Sequence, residues 1–216
     1  MCHYSRDVAT IKAHGLQSEA GLLDVIEFVF ATIQQPLSMV PQIRADVLAN
    51  GLDSAFLFGS KRKGLRYAQE NAGQLLNDLN AVIDEHGTDS VKACTEAVDI
   101  LFQVTGLGVV KAGFVAQCLG FNVGCLDSHN IVRMGLKVTD VSIRKTLKRE
   151  TQRRKIKEYI ELCQHMGTAN LWNDWCSHVA GNIGNKSLTT GDEVSAFHVE
   201  CIIQNVVTEA PNGFAI

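Results

Sequence analysis

Apolar residues recur along most of the chain at the three- and four-residue spacing of an amphipathic helix. Leu22, Leu23, Ile26, Phe30 and Ile33 share one face of a segment over 21–35, which Pro36 closes. Val40, Ile43, Val47 and Leu48 continue into a second helix, ended by Asn50-Gly51, a favourable C-cap pair. Leu65, Ala68, Ala72, Leu75, Leu76, Leu79 and Val82-Ile83 predict one long third helix ending at His86-Gly87. Thr88-Asp89-Ser90 then supplies an N-cap for a helix bearing Val91, Cys94, Ala97, Ile100 and Leu101. Further helices are predicted over 110–119, over 142–166 as a long basic one, over 170–179 and over 194–206. Strand signals are thin: Val104-Thr105 and the run 136–141 are the only short β-branched stretches worth weighing, and neither alternates for long. Three prolines leave long stretches free to be helical. No repeat and no Pro-rich or Gly/Ser linker divides the chain. The pattern predicts an all-α protein, one compact helical unit over 1–216.

Composition narrows the class. A chain of 216 residues makes one ordinary domain, or two small lobes, with a sizeable core. With 46% apolar and 20% charged residues and a mean hydropathy of +0.05, it is neither disordered nor fibrous. The best apolar run, 25–33, is interrupted by Glu27 and Thr32, so no membrane span is expected. The first fifteen residues lack the apolar core of a secretion signal, and a cytoplasmic location is expected. Seven scattered cysteines, none in a C-x-x-C pair, fit reduced thiols better than a disulfide framework.

The net charge of −3 hides an asymmetry. Arg144, Lys145, Lys148, Arg149, Arg153, Arg154, Lys155 and Lys157 lie together against a single acid, Glu150, and Lys61-Arg62-Lys63 with Arg66 form a second cluster. Such runs are either solvated helix faces or footprints for phosphates, and charge alone does not choose between them.

The most informative stretch is 103–130. Gly106-Leu107-Gly108 sits between two predicted helices, and Gly113 falls two positions late for a dinucleotide-binding glycine loop, which would also need a preceding strand. A hairpin between helices fits instead. Val104, Gly106, Leu107, Gly108 and Ala112 match the helix-hairpin-helix pattern: the glycines permit a tight turn, Leu107 plugs the core, and Ala112 lets the helices approach. Such a turn directs backbone N–H groups, those of Val109 and Val110 included, outward at a helix N-terminus, an arrangement suited to one DNA phosphate.

Nineteen residues beyond Gly108 comes Asp127, within Leu126-Asp127-Ser128-His129. Hairpin plus acidic segment resembles the helix-hairpin-helix base-excision DNA glycosylase superfamily, in which the hairpin leads to a V-D-T-H-like segment. The run 24–35 resembles that superfamily's early apolar helix, ending near a glutamine that faces DNA, here Gln34 or Gln35; the run 64–86 resembles the helix before the hairpin's first partner. The resemblance covers 22–133 and implies a two-lobed helical fold, with 140–216 as a C-terminal lobe packing with the N-terminus. Bifunctional members carry an imine-forming lysine two residues after the second hairpin glycine. That position is Val110 here, and Lys111 lies about 100° further round the helix, so no β-lyase chemistry is expected. The four closely spaced cysteines of the iron–sulfur loop are missing, so no cluster is expected. Cys163 with His165, and Cys176 with His178, are two apart on predicted helices and point to different sides, which disfavours zinc.

Around the hairpin, the runs 110–117 and 124–130 resemble the glycosylase-fold proteins of phages with hypermodified thymine, described as α-glutamyl/putrescinyl-thymine pyrophosphorylases or amino acid:DNA transferases. This implies transfer of an amino acid or amine onto pyrophosphorylated 5-hydroxymethyluracil in DNA, in the host cytoplasm, with no cofactor. The alternatives are a monofunctional DNA glycosylase and a non-catalytic DNA-binding module. Either enzyme extracts a nucleotide from the stack. Asp127 then either orients or deprotonates an incoming ammonium, or aligns water at C1′. The alternative for Asp127 is to N-cap a short helix over 128–134, and one residue can do both. His129 is a candidate second base or a structural histidine. Lys111, Arg144 and Arg149 are candidates to neutralise pyrophosphate, and Lys145 and Lys148 join the DNA-facing set. Gln34 or Gln35 is a candidate to fill the gap left by an everted base. Trp172 and Trp175, three apart, are expected in the core, with base stacking as the alternative.

Overall fold

A computed structural model describes residues 3–182 and 188–203. Among them the chain is all-helical: α1 (His3–Gly15), α2 (Glu19–Thr32), α3 (Val40–Asn50), α4 (Ser60–Glu70), α5 (Ala72–His86), α6 (Val91–Phe102), α7 (Val109–Cys118), α8 (Ser128–Arg133), α9 (Val138–Val141), α10 (Arg149–Met166), α11 (Thr168–Asn182) and α12 (Gly191–Ile203). Short 3-10 turns occur at Leu37–Met39 and Gly51–Asp53. Neither β-branched run forms a strand: Val104-Thr105 lies in the turn after α6, and the second run supplies α9. No helix of the described residues is long and apolar enough to cross a membrane.

Helix α2 is the centre of the molecule. Ser18 caps it, its Oγ accepting from the Gly21 N–H at 3.1 Å. Leu22, Val25, Ile26, Phe28 and Val29 are fully buried. A helix apolar on nearly every side must be enclosed, and α2 touches α1, α3, α4, α5, α7 and α12. Burial of each such side chain is worth roughly 1.5–3 kcal/mol, so α2 contributes substantially to stability.

Three sequence expectations change. The long third helix is two, α4 and α5, broken at Asn71 (φ −120°, ψ 14°). The Asn71 side-chain Nδ2 donates to the Tyr67 carbonyl at 2.8 Å, the same oxygen that accepts the Asn71 backbone N–H at 3.1 Å. Such local bonding offers the backbone a way out of the helix. The basic helix begins at Arg149 rather than Ser142. Buried Gln152 donates through Nε2 to the carbonyls of Lys145 (2.8 Å) and Leu147 (3.0 Å), which pins the preceding segment as a loop. Third, α1 forms where the polar N-terminal run gave no helix prediction; Val8 and Ile11, three apart, are buried, and the helix packs on α2 and α12. The end of the helix predicted over 194–206 lies partly outside the described residues.

Helix α10 is held on α6 by charge. The buried Asp99 carboxylate on α6 accepts from Arg149 at 2.7 Å and from Arg153 at 2.9 Å, both through Oδ2.

Candidate functional site

Helices α6 and α7 are joined by a tight turn with the features the hairpin pattern requires. Gly106 takes φ +86°, a left-handed conformation that glycine adopts without strain. Leu107 and Val104 are fully buried, as is Ala112 on the first turn of α7. Gly108 is the N-cap of α7 and is exposed; no side chain caps this end, and the first intrahelical bond runs from the Ala112 N–H to the Gly108 carbonyl at 2.9 Å. The N–H groups of Val109, Val110 and Lys111 are therefore the orphan donors of a helix start. The turn is braced from α4: a Cβ on Gly64 would lie 2.0 Å from the Thr105 carbonyl oxygen, so only glycine permits that approach.

After α7 the chain turns at Leu119-Gly120 (Gly120 φ +87°) and continues as an irregular segment to Leu126, most of whose backbone has no sheet or helix partner. Side chains from α10 supply partners. The Tyr159 hydroxyl accepts from the Leu126 N–H (3.1 Å) and donates to the Gly124 carbonyl (2.8 Å), and Gln164 Nε2 donates to the Asn122 carbonyl (3.0 Å). Asn130 Nδ2 donates to the Cys125 carbonyl at 2.9 Å. This segment delivers Asp127 as the N-cap of α8, with Oδ1 accepting the Asn130 N–H at 2.9 Å. Asp127 thus makes the capping contact; its other oxygen, Oδ2, takes no hydrogen bond among the described residues.

A cleft of about 660 Å³ lies between the turn after α2, the start of α7, the Asp127 segment and α11. Gln34, Gln35, Gly108, Val109, Val110, Lys111, Asp127 and His129 all line it. Gly106 and Leu107 do not; they form the turn behind it. Lys111 reaches the cleft despite its register one residue from the imine position, with Nζ 5.4 Å from the centre of the Phe114 ring. Gln34 has φ +57°, the single positive φ of a non-glycine residue among the described residues. Such strain costs on the order of 1–3 kcal/mol and tends to mark functional positions.

His129 stacks on His178 of α11 with ring centres 3.6 Å apart and planes 18° apart, and both line the cleft. Burial and the neighbouring His178 charge push the His129 imidazole below its ordinary range, against an opposing pull from Asp127. Trp172 and Trp175 meet the core expectation in part: Trp172 is buried, and both rings also form a wall of the cleft beside Phe114. Behind them His198 is fully enclosed by Phe28, Phe114, Trp172 and Trp175, ring centres 5.1–6.4 Å away, and burial lowers its pKa to about 3. Among the described residues, neither ring nitrogen of His198 has a hydrogen-bond partner. Cys125 also lines the cleft; burial pushes its thiol up to about 12, with Lys111 opposing and Asp127 adding, so it is no thiolate nucleophile at neutral pH.

The basic set separates. Arg149 is bound to Asp99, and Lys145 Nζ donates to the Val104 carbonyl at 2.6 Å, tying the loop to the hairpin. Arg144 and Lys148 are exposed, and their side chains have no ion-pair or hydrogen-bond partner among the described residues. No group of three or more His, Cys, Asp or Glu side chains among the described residues is placed to hold a metal ion. In α10, Cys163 is buried and His165 exposed; in α11, Cys176 is in the core and His178 at the cleft.

Sequence reasoning did not assign His178 to the site. For His178 a signal existed: Leu171, Trp172, Trp175, His178 and Val179 follow helical spacing and share one face of α11, the face that lines the cleft. Compared with family models, curated proteins and solved structures, the chain matches none of them.

Proposed function

We propose that the protein is a DNA base-modifying enzyme with a two-lobed, glycosylase-like fold, which takes an everted pyrimidine-type nucleotide into the cleft and transfers an amino acid or amine onto it. The observation that carries this reading is the convergence, on one cleft, of an uncapped helix start after a hairpin turn, the carboxylate of Asp127, the ammonium of Lys111 and the strained Gln34. The hairpin grips a backbone phosphate through the N–H groups of α7. The base enters beside Trp175, and Gln34 fills the gap it leaves.

The volume favours a transferase. At about 660 Å³ the cleft is in the range of pockets for drug-sized ligands, roughly 300–1,000 Å³, which leaves room for a co-substrate beside a base. On pyrophosphorylated 5-hydroxymethyluracil, the amine nitrogen attacks the 5-methylene carbon as the bond to the pyrophosphate oxygen breaks. Only the neutral amine is nucleophilic, and Asp127 or His129 accepts its proton. Lys111, with Arg144 beside the cleft-lining Ile143, neutralises the departing pyrophosphate. Arg149, already bound to Asp99, is not assigned this role.

A second reading rests on Asp127 alone. With Oδ1 held by the cap and Oδ2 open, the carboxylate is also suited to align a water at C1′, as a monofunctional glycosylase needs. One experiment separates the readings: 5-hydroxymethyluracil duplex DNA is treated with its kinase, this protein and an amino acid mixture, and the nucleosides are analysed by mass spectrometry. A mass gain equal to an amino acid residue, with free pyrophosphate, supports the transferase. Free base or abasic sites support the glycosylase. Unchanged DNA from a protein that still binds it leaves the non-catalytic module.

A further inference from the structure

Lys61 is one of a basic cluster, yet it does not face solvent: it is 4% exposed and lies on the first turn of α4. Its Nζ donates to the Ile33 carbonyl at 2.7 Å, the peptide immediately before Gln34. The Phe58 ring covers the ammonium from 5.1 Å. Burying an ammonium is costly unless its hydrogen bonds are strong, and desolvation together with the Lys111 charge lowers its pKa. A lysine held at that cost, bonded to the peptide that enters the only positive-φ non-glycine residue described, is a latch on a strained turn.

The same first turns of α4 also carry the hairpin. Gly64 abuts the Thr105 carbonyl, and a Cβ on Gly106 would come within 2.7 Å of the Ser60 carbonyl oxygen. One short stretch, Ser60 to Gly64, therefore touches both the turn that would hold a phosphate and the turn that carries Gln34. Resting on the DNA-modification reading above, we infer that Lys61 is a positioning residue for nucleotide eversion: by bonding the Ile33 carbonyl it fixes Gln34 at a set distance from the hairpin turn, and so selects which nucleotide, counted from the gripped phosphate, leaves the stack.

The test uses the full chain, a 5-hydroxymethyluracil duplex with 2-aminopurine beside the modified base, and three readouts. These are thermal unfolding, duplex affinity by fluorescence anisotropy, and the rise in 2-aminopurine fluorescence on binding. Lys61→Met keeps the length of the side chain and removes the donor. The expected result is a folded protein that retains most of its duplex affinity and loses most of the fluorescence rise. Gln34→Gly, which accepts the positive φ without strain, loses the rise as well, and Lys61→Met adds no further loss in that background. A Lys61→Met protein that is folded and everts the base as the parent does would overturn the inference while leaving the reading of the cleft intact. A parent protein that binds no duplex would overturn the DNA reading itself, and the positioning role with it. Should Lys61→Met fail to fold, Gln34→Gly decides: the inference is overturned if it preserves the full rise.

Discussion

The Asp127 carboxylate accepts the Asn130 N–H at 2.9 Å, so the residue best placed for chemistry also starts the helix that follows it. The two roles separate by substitution. Asparagine caps a helix about as well as aspartate, whereas alanine costs ~1 kcal/mol. Asp127→Asn is therefore expected to keep its melting temperature and its DNA affinity and to lose turnover. Asp127→Ala loses turnover and stability together. Full turnover in Asp127→Asn would leave capping as the whole role of the residue.

The two hairpin glycines are predicted to respond differently. A Cβ on Gly106 meets the Ser60 carbonyl at 2.7 Å in a left-handed backbone, whereas around Gly108 nothing lies within 4 Å. Gly106→Ala is expected to destabilise by more than the ~1–2 kcal/mol of the left-handed conformation alone. Gly108→Ala, at the N-cap of α7 where alanine is disfavoured, is expected to cost about 0.5–1 kcal/mol in urea unfolding, less than Gly106→Ala. If a phosphate docks at α7, Gly108→Ala weakens duplex binding all the same; unchanged affinity would remove the hairpin from the DNA face.

Salt dependence sorts the basic residues. Arg144→Ala and Lys148→Ala, if these side chains meet phosphates, each reduce the slope of log affinity against log salt by about 1. Arg149→Ala instead takes one of two guanidinium partners from the buried Asp99 carboxylate, and its main effect is on stability. A slope unchanged by Arg144→Ala and Lys148→Ala would make the basic stretch an ordinary solvated face.

Acid sensitivity has a named source. The His198 pKa is about 3 in the folded protein, below the unfolded value of about 6.5. The unfolded chain thus binds the proton first, and stability is full above the unfolded value and falls as pH drops from there toward 3. His129 is shifted in the same direction. His198→Leu is expected to flatten the decline of unfolding free energy across that window. An unaltered decline would place the acid sensitivity elsewhere.

The stacked pair gives a spectroscopic prediction. His178→Phe keeps a flat ring against His129 and removes its charge, so the His129 imidazole, followed by NMR titration, should move up part of the way toward its ordinary value. Burial, the larger cause, remains. A His129 titration unmoved by the substitution would mean the two rings do not sense one another.

Helix positions were legible wherever an apolar stripe ended in a strong signal: Ser90 before α6, Asn50-Gly51 after α3 and Asp127 before α8 all act as their types suggest. The break at Asn71 was not legible, because Asn71 interrupts a stripe whose apolar spacing continues across it. The loop before α10 was missed for a related reason: Gln152, four residues into that helix, takes up the loop carbonyls, and nothing local in the sequence indicates this. The hairpin and Asp127 were visible as motifs. The cleft was not, since it joins Gln34, Lys111, Asp127 and His178 across nearly 150 residues of chain, and no spacing rule reports a meeting of that kind.

Tyr159 gives the site an unexpected dependence. Its single hydroxyl satisfies both the Leu126 N–H and the Gly124 carbonyl, and its ionisation is pushed well upward by burial. The irregular piece of chain that presents Asp127 is thus held in part by one phenol, on a helix that supplies no residue to the cleft lining. Losing that oxygen would leave the buried Leu126 N–H unpaired and the Gly124 carbonyl with only the weaker Cys163 thiol as donor, in the residues immediately before the carboxylate. The address of Asp127 is written thirty-three residues downstream of Leu126, in a part of the chain that a survey of the cleft lining would pass over.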